Sequence, residues 1–218
     1  MRLTKSDFMR GIQCGKMLWL DRHKPEYKVV SPAVRARLDA GNEFGDKAMG
    51  MFGDYVEMTA YTPDGRIDCA AMVQNTRNHI ALGTPVICEG AFTSEGLYCA
   101  VDILVRDEHA AEPTYAMYEV KDAGEVQPQF ILDAAFQYYV ASRTVRITQI
   151  YIVTHGPDDS FVTHDVTRLA GITQMALPAY VGEVQAAAAQ ANEPTIPCGE
   201  QCECPYRCWY WDYCHKNK

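Results

Sequence analysis

Two neighbouring runs decide how this chain is read: Leu97-Tyr98-Cys99-Ala100-Val101-Asp102-Ile103-Leu104-Val105-Arg106, and Tyr115-Ala116-Met117-Tyr118-Glu119-Val120-Lys121-Asp122. Both are rich in β-branched and aromatic residues and predict strands over 97–106 and 115–122, joined by a turn over 107–114. Side chains alternate along a strand, so Glu119 and Lys121 project to one side with Met117, while Tyr118 and Val120 face the other. Asp102 stands among apolar neighbours, where a carboxylate is costly unless it is paired or bound to a cation. Antiparallel pairing of the two runs would set Asp102 beside Glu119. Two converging carboxylates suit a hard Mg²⁺ or Mn²⁺, and an adjacent lysine can serve a bound water and offset charge building on a phosphate. The plainer reading of Glu-x-Lys alone is an ion pair on an exposed strand face.

Working outward, Ser94-Glu95-Gly96 predicts a tight hairpin to an earlier strand over 85–92. A helix is predicted over 129–143, an apolar strand over 147–154 and an edge strand over 160–166. Upstream, helices are predicted over 7–13 (capped by Thr4 or Ser6), 16–22, 33–52 and 69–80; downstream, over 177–191. The order helix–strand–strand–strand–helix–strand gives one α/β domain over 1–218, a mixed sheet flanked by helices.

The 218 residues are 48% hydrophobic, ordinary for a globular core, and no charge-free run is long enough to span a bilayer. The net charge of −8 excludes a general nucleic-acid-coating protein but not a nuclease, whose cation-holding carboxylates add negative charge. The basic residues are concentrated at the start: residues 1–28 carry seven lysines and arginines against three acids, a flank suited to a phosphate backbone or to a solvated helix face. The opening residues lack the apolar segment of a secretory signal, so the nine cysteines are expected reduced, in a cytoplasmic protein. Cys69, Cys88 and Cys99 stand singly in apolar surroundings and read as small buried hydrophobes.

The remaining cysteines carry a second signal. Cys202, Cys208 and Cys214 recur as C-x5-C-x5-C, and Cys14 near the other end would make a fourth thiolate for an iron–sulfur cluster or a structural zinc. By spacing alone Cys198 and Cys204 are also available. Trp209, Tyr210, Trp211 and Tyr213 are suited to shielding such a group from water.

Asp102…Glu119-Val120-Lys121 resembles the core of the PD-(D/E)XK nuclease superfamily, with its restriction-endonuclease-like mixed sheet. Ala134-Ala135-Phe136-Gln137-Tyr138-Tyr139 resembles the glutamine motif of its RecB-like branch. Leu3-Thr4-Lys5-Ser6 through Cys14, with the C-terminal cysteines, resembles the iron–sulfur subset of that branch. The subset includes CRISPR-associated RecB-like exonucleases used in spacer acquisition and AddB-type nuclease domains. The resemblance implies cleavage of DNA, at ends or in single strands, with Mg²⁺ or Mn²⁺ on Asp102, Glu119 and the Val120 carbonyl. Lys121 would serve the water and Gln137 would help hold substrate. It implies a 4Fe–4S cluster on Cys14, Cys202, Cys208 and Cys214 that fastens elements at 1–28 and 194–218, and partner proteins in CRISPR or repair complexes. Two positions depart from the pattern. The early helix has no histidine after Gly41, leaving Glu43, or next Asp46, as the substitute ligand, and the tyrosine expected four residues after Gln137 is Ala141. Glu89 matches a recurrent acidic position. The rival readings are a catalytically weak DNA-end-binding module of the same fold and, further off, a zinc-stabilised protein with no nucleic-acid role.

Overall fold

The computed structural model describes residues 2–216, which divide into two compact units. The larger holds residues 39–175 with Arg2; the smaller holds residues 3–38 and 176–216. In chain order the elements are β1 (Leu3–Thr4), α1 (Lys5–Gln13), α2 (Gly15–His23), α3 (Pro32–Met49), β2 (Val56–Glu57), α4 (Cys69–Leu82), β3 (Val86–Ser94), β4 (Leu97–Arg106), β5 (Thr114–Val120), α5 (Pro128–Ala141), β6 (Arg146–His155), β7 (Phe161–Asp165), α6 (Thr167–Thr173), α7 (Leu177–Ala188) and α8 (Trp211–Lys216), with short 3₁₀ turns between. The fold class is the expected one, a mixed β-sheet flanked by helices.

In the larger unit six strands are hydrogen-bonded in the order β2-β3-β4-β5-β6-β7. β3, β4 and β5 are antiparallel, β5 and β6 are parallel across the α5 crossover, and β7 returns antiparallel. The β3–β4 turn places Glu95 and Gly96 both at positive φ (52° and 78°), the conformation a two-residue hairpin matching strand twist requires. α4 is capped by the Asp68 carboxylate, which accepts from the Ala70 and Ala71 amides, and ends on Gly83 at φ 72°. α5 starts with Pro128 in its first turn, where the missing N–H costs nothing.

The register assigns the two faces. Ile103, Tyr118 and Val120 lie on one face, where Ala48 and Met49 of α3 pack with Val86, Cys88 and Ile103. Glu119 and Lys121 take the other, where Gln137 of α5 reaches Glu119. α4 packs elsewhere on the sheet: its Met72 lies with Ala91 and Tyr98, and its Thr76 accepts from the Ala91 amide.

In the smaller unit Thr4 is the N-cap of α1, and its reciprocal bonds with Asp7 form a capping box. Cys14, extended at φ −163° and ψ 114°, ends α1 and begins α2. α1 lies so close to α7 that a Cβ on Gly11 would strike the Val184 side chain.

Boundaries differ from the sequence expectation in understandable ways. The helix expected over 33–52 ends at Met49 and tightens into a 3₁₀ turn, Gly50–Phe52, before Gly53 at φ 87°. The strand expected to run to Asp122 ends at Val120, where its ladder with β4 has already stopped. α6 and α8 were not expected: each is under eight residues, too short to show a helical period.

Candidate active site and candidate thiol centre

At Asp102 the sheet opens. The last β4–β5 pair is Ile103↔Tyr118, so the next position would place Asp102 opposite Glu119, as the sequence predicts. Instead of continuing the ladder, Asp102 Oδ2 accepts directly from the Val120 N–H at 2.6 Å. Amide and carbonyl of one strand residue point to the same side. Because the Lys121 amide donates to Val153 of β6, the Val120 carbonyl points toward β4, into the opening beside Asp102. On the opposite edge of β4 the pairing skips Glu89, which stands at φ 53° between Cys88↔Ile103 and Gly90↔Val101. Asp102 is thus flanked by a break on each side.

Across the opening a polar network is buried. Lys121 Nζ donates to Glu119 Oε1 at 2.5 Å and to Asp133 Oδ2 at 2.6 Å. Gln137 Nε2 donates to Glu119 Oε2 and, at 3.2 Å, to Asp133 Oδ1. Glu119 and Gln137 are fully buried and Asp133 is 7% exposed. A buried carboxylate pair is tolerable only with such partners. One acceptor is left over: Gln137 Oε1 is buried and has no hydrogen-bond partner, a vacancy that buried polar atoms seldom keep. The neighbourhood is strongly negative. The Cys88 thiol is pushed up to about 12, first by burial and then by the charges of Glu89, Glu57 and Asp102.

The structure therefore brings Asp102, Glu119, the Val120 carbonyl, Lys121 and Gln137 to one region. Glu43 is exposed on α3, where its neighbour Phe44 packs on His155 at 3.9 Å between ring centroids, and Asp46 is exposed on the same helix. Sequence reasoning missed Asp133. Its signal was an acid one helical turn before Gln137 in the otherwise apolar segment Phe-Ile-Leu-Asp-Ala-Ala-Phe.

In the smaller unit Cys14, Cys202, Cys208 and Cys214 line one cavity, together with Cys198, Lys16, Met17 and Tyr210. All nine cysteines are free. The Tyr210 amide donates to Cys208 Sγ at 3.4 Å, and the Cys208 amide to the Cys202 carbonyl at 2.8 Å. Burial pushes the Cys208 thiol up to about 12, and the nearness of Cys14, Cys214 and Cys202 adds to the rise. Cys214 is also raised, mainly by burial, against the pull of Lys16. Thiols so placed are disfavoured as lone thiolates, and the donor set fits a group whose positive charge they would share. Cys204 is exposed and does not line the cavity, whereas Cys198 does, with its Sγ 3.8 Å from His215 Nδ1. Among the expected shielding aromatics, Tyr210 and Trp211 line the cavity. Trp209 lies under Lys28, and Tyr213 donates to Glu193. Among the described residues no three Cys, His, Asp or Glu side chains already stand in a coordination arrangement.

No family model matches the sequence, and no curated protein matches it. Among solved structures the chain is similar to an alkaline exonuclease (LHK-Exo) from Laribacter hongkongensis, at 15% identity and a TM-score of 0.46 over 86% of this chain and 89% of that one. It is also similar to SSO0001, at 10% identity and a TM-score of 0.49 over 100% of this chain and 87% of that one. Likeness at this level carries no argument, and the functional reading stands on the chain's own residues. No helix among the described residues is long and apolar enough to cross a membrane.

Proposed function

We propose that this chain is a divalent-metal-dependent deoxyribonuclease of the PD-(D/E)XK type, acting as an exonuclease on DNA ends or single strands, with a 4Fe–4S cluster as a structural clip. The observation that carries the reading is the interlocked group Glu119–Lys121–Asp133–Gln137 beside the opening at Asp102. A chain gains little stability from burying two carboxylates around one lysine, whereas metal-assisted phosphodiester hydrolysis can use carboxylates and an ammonium so placed. Asp102, Glu119 and the Val120 carbonyl would hold Mg²⁺ or Mn²⁺. Such an ion polarises a phosphoryl oxygen and acidifies a bound water. Lys121 supplies an ammonium beside those ligands to offset charge building on the phosphate. Gln137 fixes the Glu119 carboxylate, and its unpaired carbonyl oxygen is a seat for a water or substrate donor. Cys14, Cys202, Cys208 and Cys214 would hold the cluster and join the start of the chain to its end, which restricts the unfolded chain as well as organising the native one.

The test is anaerobic purification followed by digestion of end-labelled single- and double-stranded DNA with Mg²⁺, with Mn²⁺ and with EDTA. Cleavage in either metal, none in EDTA, and loss in Asp102→Ala, Glu119→Ala and Lys121→Ala are expected. A Lys121→Ala protein that cuts like the parent would overturn the assignment. The absence of a histidine in the early helix after Gly41 favours a second reading, a catalytically weak module that binds DNA ends for partner proteins. Retarded DNA mobility without cleavage in either metal would select it.

A further inference from the structure

Lys121 has two carboxylate partners, and only one of them belongs to the expected metal-binding set. Glu119 Oε1 and Asp133 Oδ2 receive the ammonium at 2.5 and 2.6 Å, so the lysine lies on a ligand that a cation must also use. The other oxygens of the two acids are tied together through Gln137 Nε2. Asp133 stands one turn before Gln137 on α5, is nearly buried, and has its side chain fixed at both oxygens. Its geometry is that of a stationary counter-ion.

We propose that Asp133 is a positioning residue, the seat that keeps Lys121 in place when Glu119 gives its oxygen to a divalent cation. This rests on the metal-site reading above. Without the Asp133 charge, the ammonium would lean more heavily on Glu119, the ligand a cation must take from it. With Asp133, the lysine releases one bond, keeps the other, and stays beside the metal where its charge is of use. Outer-shell partners of this kind govern ligand availability without touching the metal.

A four-protein cycle tests this by Mn²⁺ titration calorimetry in the absence of DNA, with the parent, Asp133→Asn, Lys121→Met and the double variant. Loss of the Asp133 charge should weaken Mn²⁺ binding about tenfold when Lys121 is present. The same change should matter by less than about twofold in the Lys121→Met background, because the competitor is gone. Equal weakening in both backgrounds would make Asp133 a direct ligand and overturn the proposal; no weakening in either would also overturn it. Should Asp133→Asn not fold, Asp133→Glu decides: a retained seat keeps affinity near the parent value, while a displaced direct ligand loses it in both backgrounds. A parent protein that binds no Mn²⁺ refutes the metal-site reading itself, a result distinct from either pattern in the cycle.

Discussion

Replacing Lys121 by Met removes the cation from between a fully buried and a nearly buried carboxylate while preserving most of the side-chain volume. In the absence of divalent metal, Glu119 and Asp133 then face each other across Gln137. Breaking a buried pair by removing one partner costs about 3–5 kcal/mol. The Lys121 side chain is 19% exposed, so water can enter where it leaves, and the lower figure, about 3 kcal/mol, is the expected loss. For a chain of this length that lowers the melting temperature by about 6–12 °C. All three tryptophans lie in the smaller unit, so far-UV ellipticity in EDTA is the appropriate probe. Mn²⁺ should then rescue the variant, since a ligand at a hundred times its dissociation constant contributes about 2.7 kcal/mol. The Mn²⁺-induced rise should exceed that of the parent, whose lysine competes for Glu119. Equal melting temperatures in EDTA, or equal rises with Mn²⁺, would refute the argument that Lys121 neutralises this network.

Two further outcomes concern the smaller unit. Glu193 accepts from Lys16 at 2.7 Å, Lys24 at 2.9 Å and the Tyr213 hydroxyl at 2.8 Å; against the cost of burial, these bonds hold its carboxyl down at about 2. A depressed carboxyl stabilises the fold above its unfolded value and loses that contribution as pH falls through the folded one. Glu193→Gln should therefore cost about 1–2 kcal/mol near neutral pH. In urea melts at stepped pH the difference from the parent should close between about 4.5 and 2; a difference that persists at the acid end counts against it. Anaerobically isolated protein should be brown, with iron and acid-labile sulfide, and Cys14→Ser and Cys208→Ser should lose both while Cys204→Ser keeps them. Colourless protein with stoichiometric zinc would replace the iron–sulfur assignment.

The strands of the larger unit were legible because two-residue alternation and turn chemistry are local: Ser94-Glu95-Gly96 and the runs around Asp102 and Glu119 needed nothing beyond their own neighbours. The register that brings Asp102 level with Glu119, one step beyond the Ile103↔Tyr118 pair, followed from the short connection between their strands. Asp133 was not legible, because its meaning depends on the azimuth of α5 against the sheet, a tertiary quantity. The part played by Glu43 was not legible for the same reason. Its spacing from Gly41 says nothing about which face of the sheet α3 covers, and that is decided by Ala48 and Met49 packing on Val86, Cys88 and Ile103. Among the cysteines, even spacing singled out three, yet Cys198 lines the same cavity from outside the pattern.

The two interruptions around Asp102 bear on what this sheet is for. A sheet optimised for stability would continue its ladder through the centre and fill the position with valine or isoleucine, as it does at Val101 and Ile103 on either side. Here β3 takes a left-handed residue at Glu89, β5 parts from β4 after Tyr118, and the amide released at Val120 is satisfied by a carboxylate instead of a carbonyl. These departures cost stability, and two oxygens meet at the opening they leave: the Asp102 carboxylate from the middle strand and the Val120 carbonyl from its neighbour. Local rules are broken together only where something other than packing is being served. The Cys88 thiol, raised first by burial and further by Glu89, Glu57 and Asp102, records a trace of their negative charge from within the core. On the Glu119 side stands Lys121, held by Asp133 as well as Glu119. On the proposed reading, that division of one lysine between two acids would let the opening accept a second cation without losing the first.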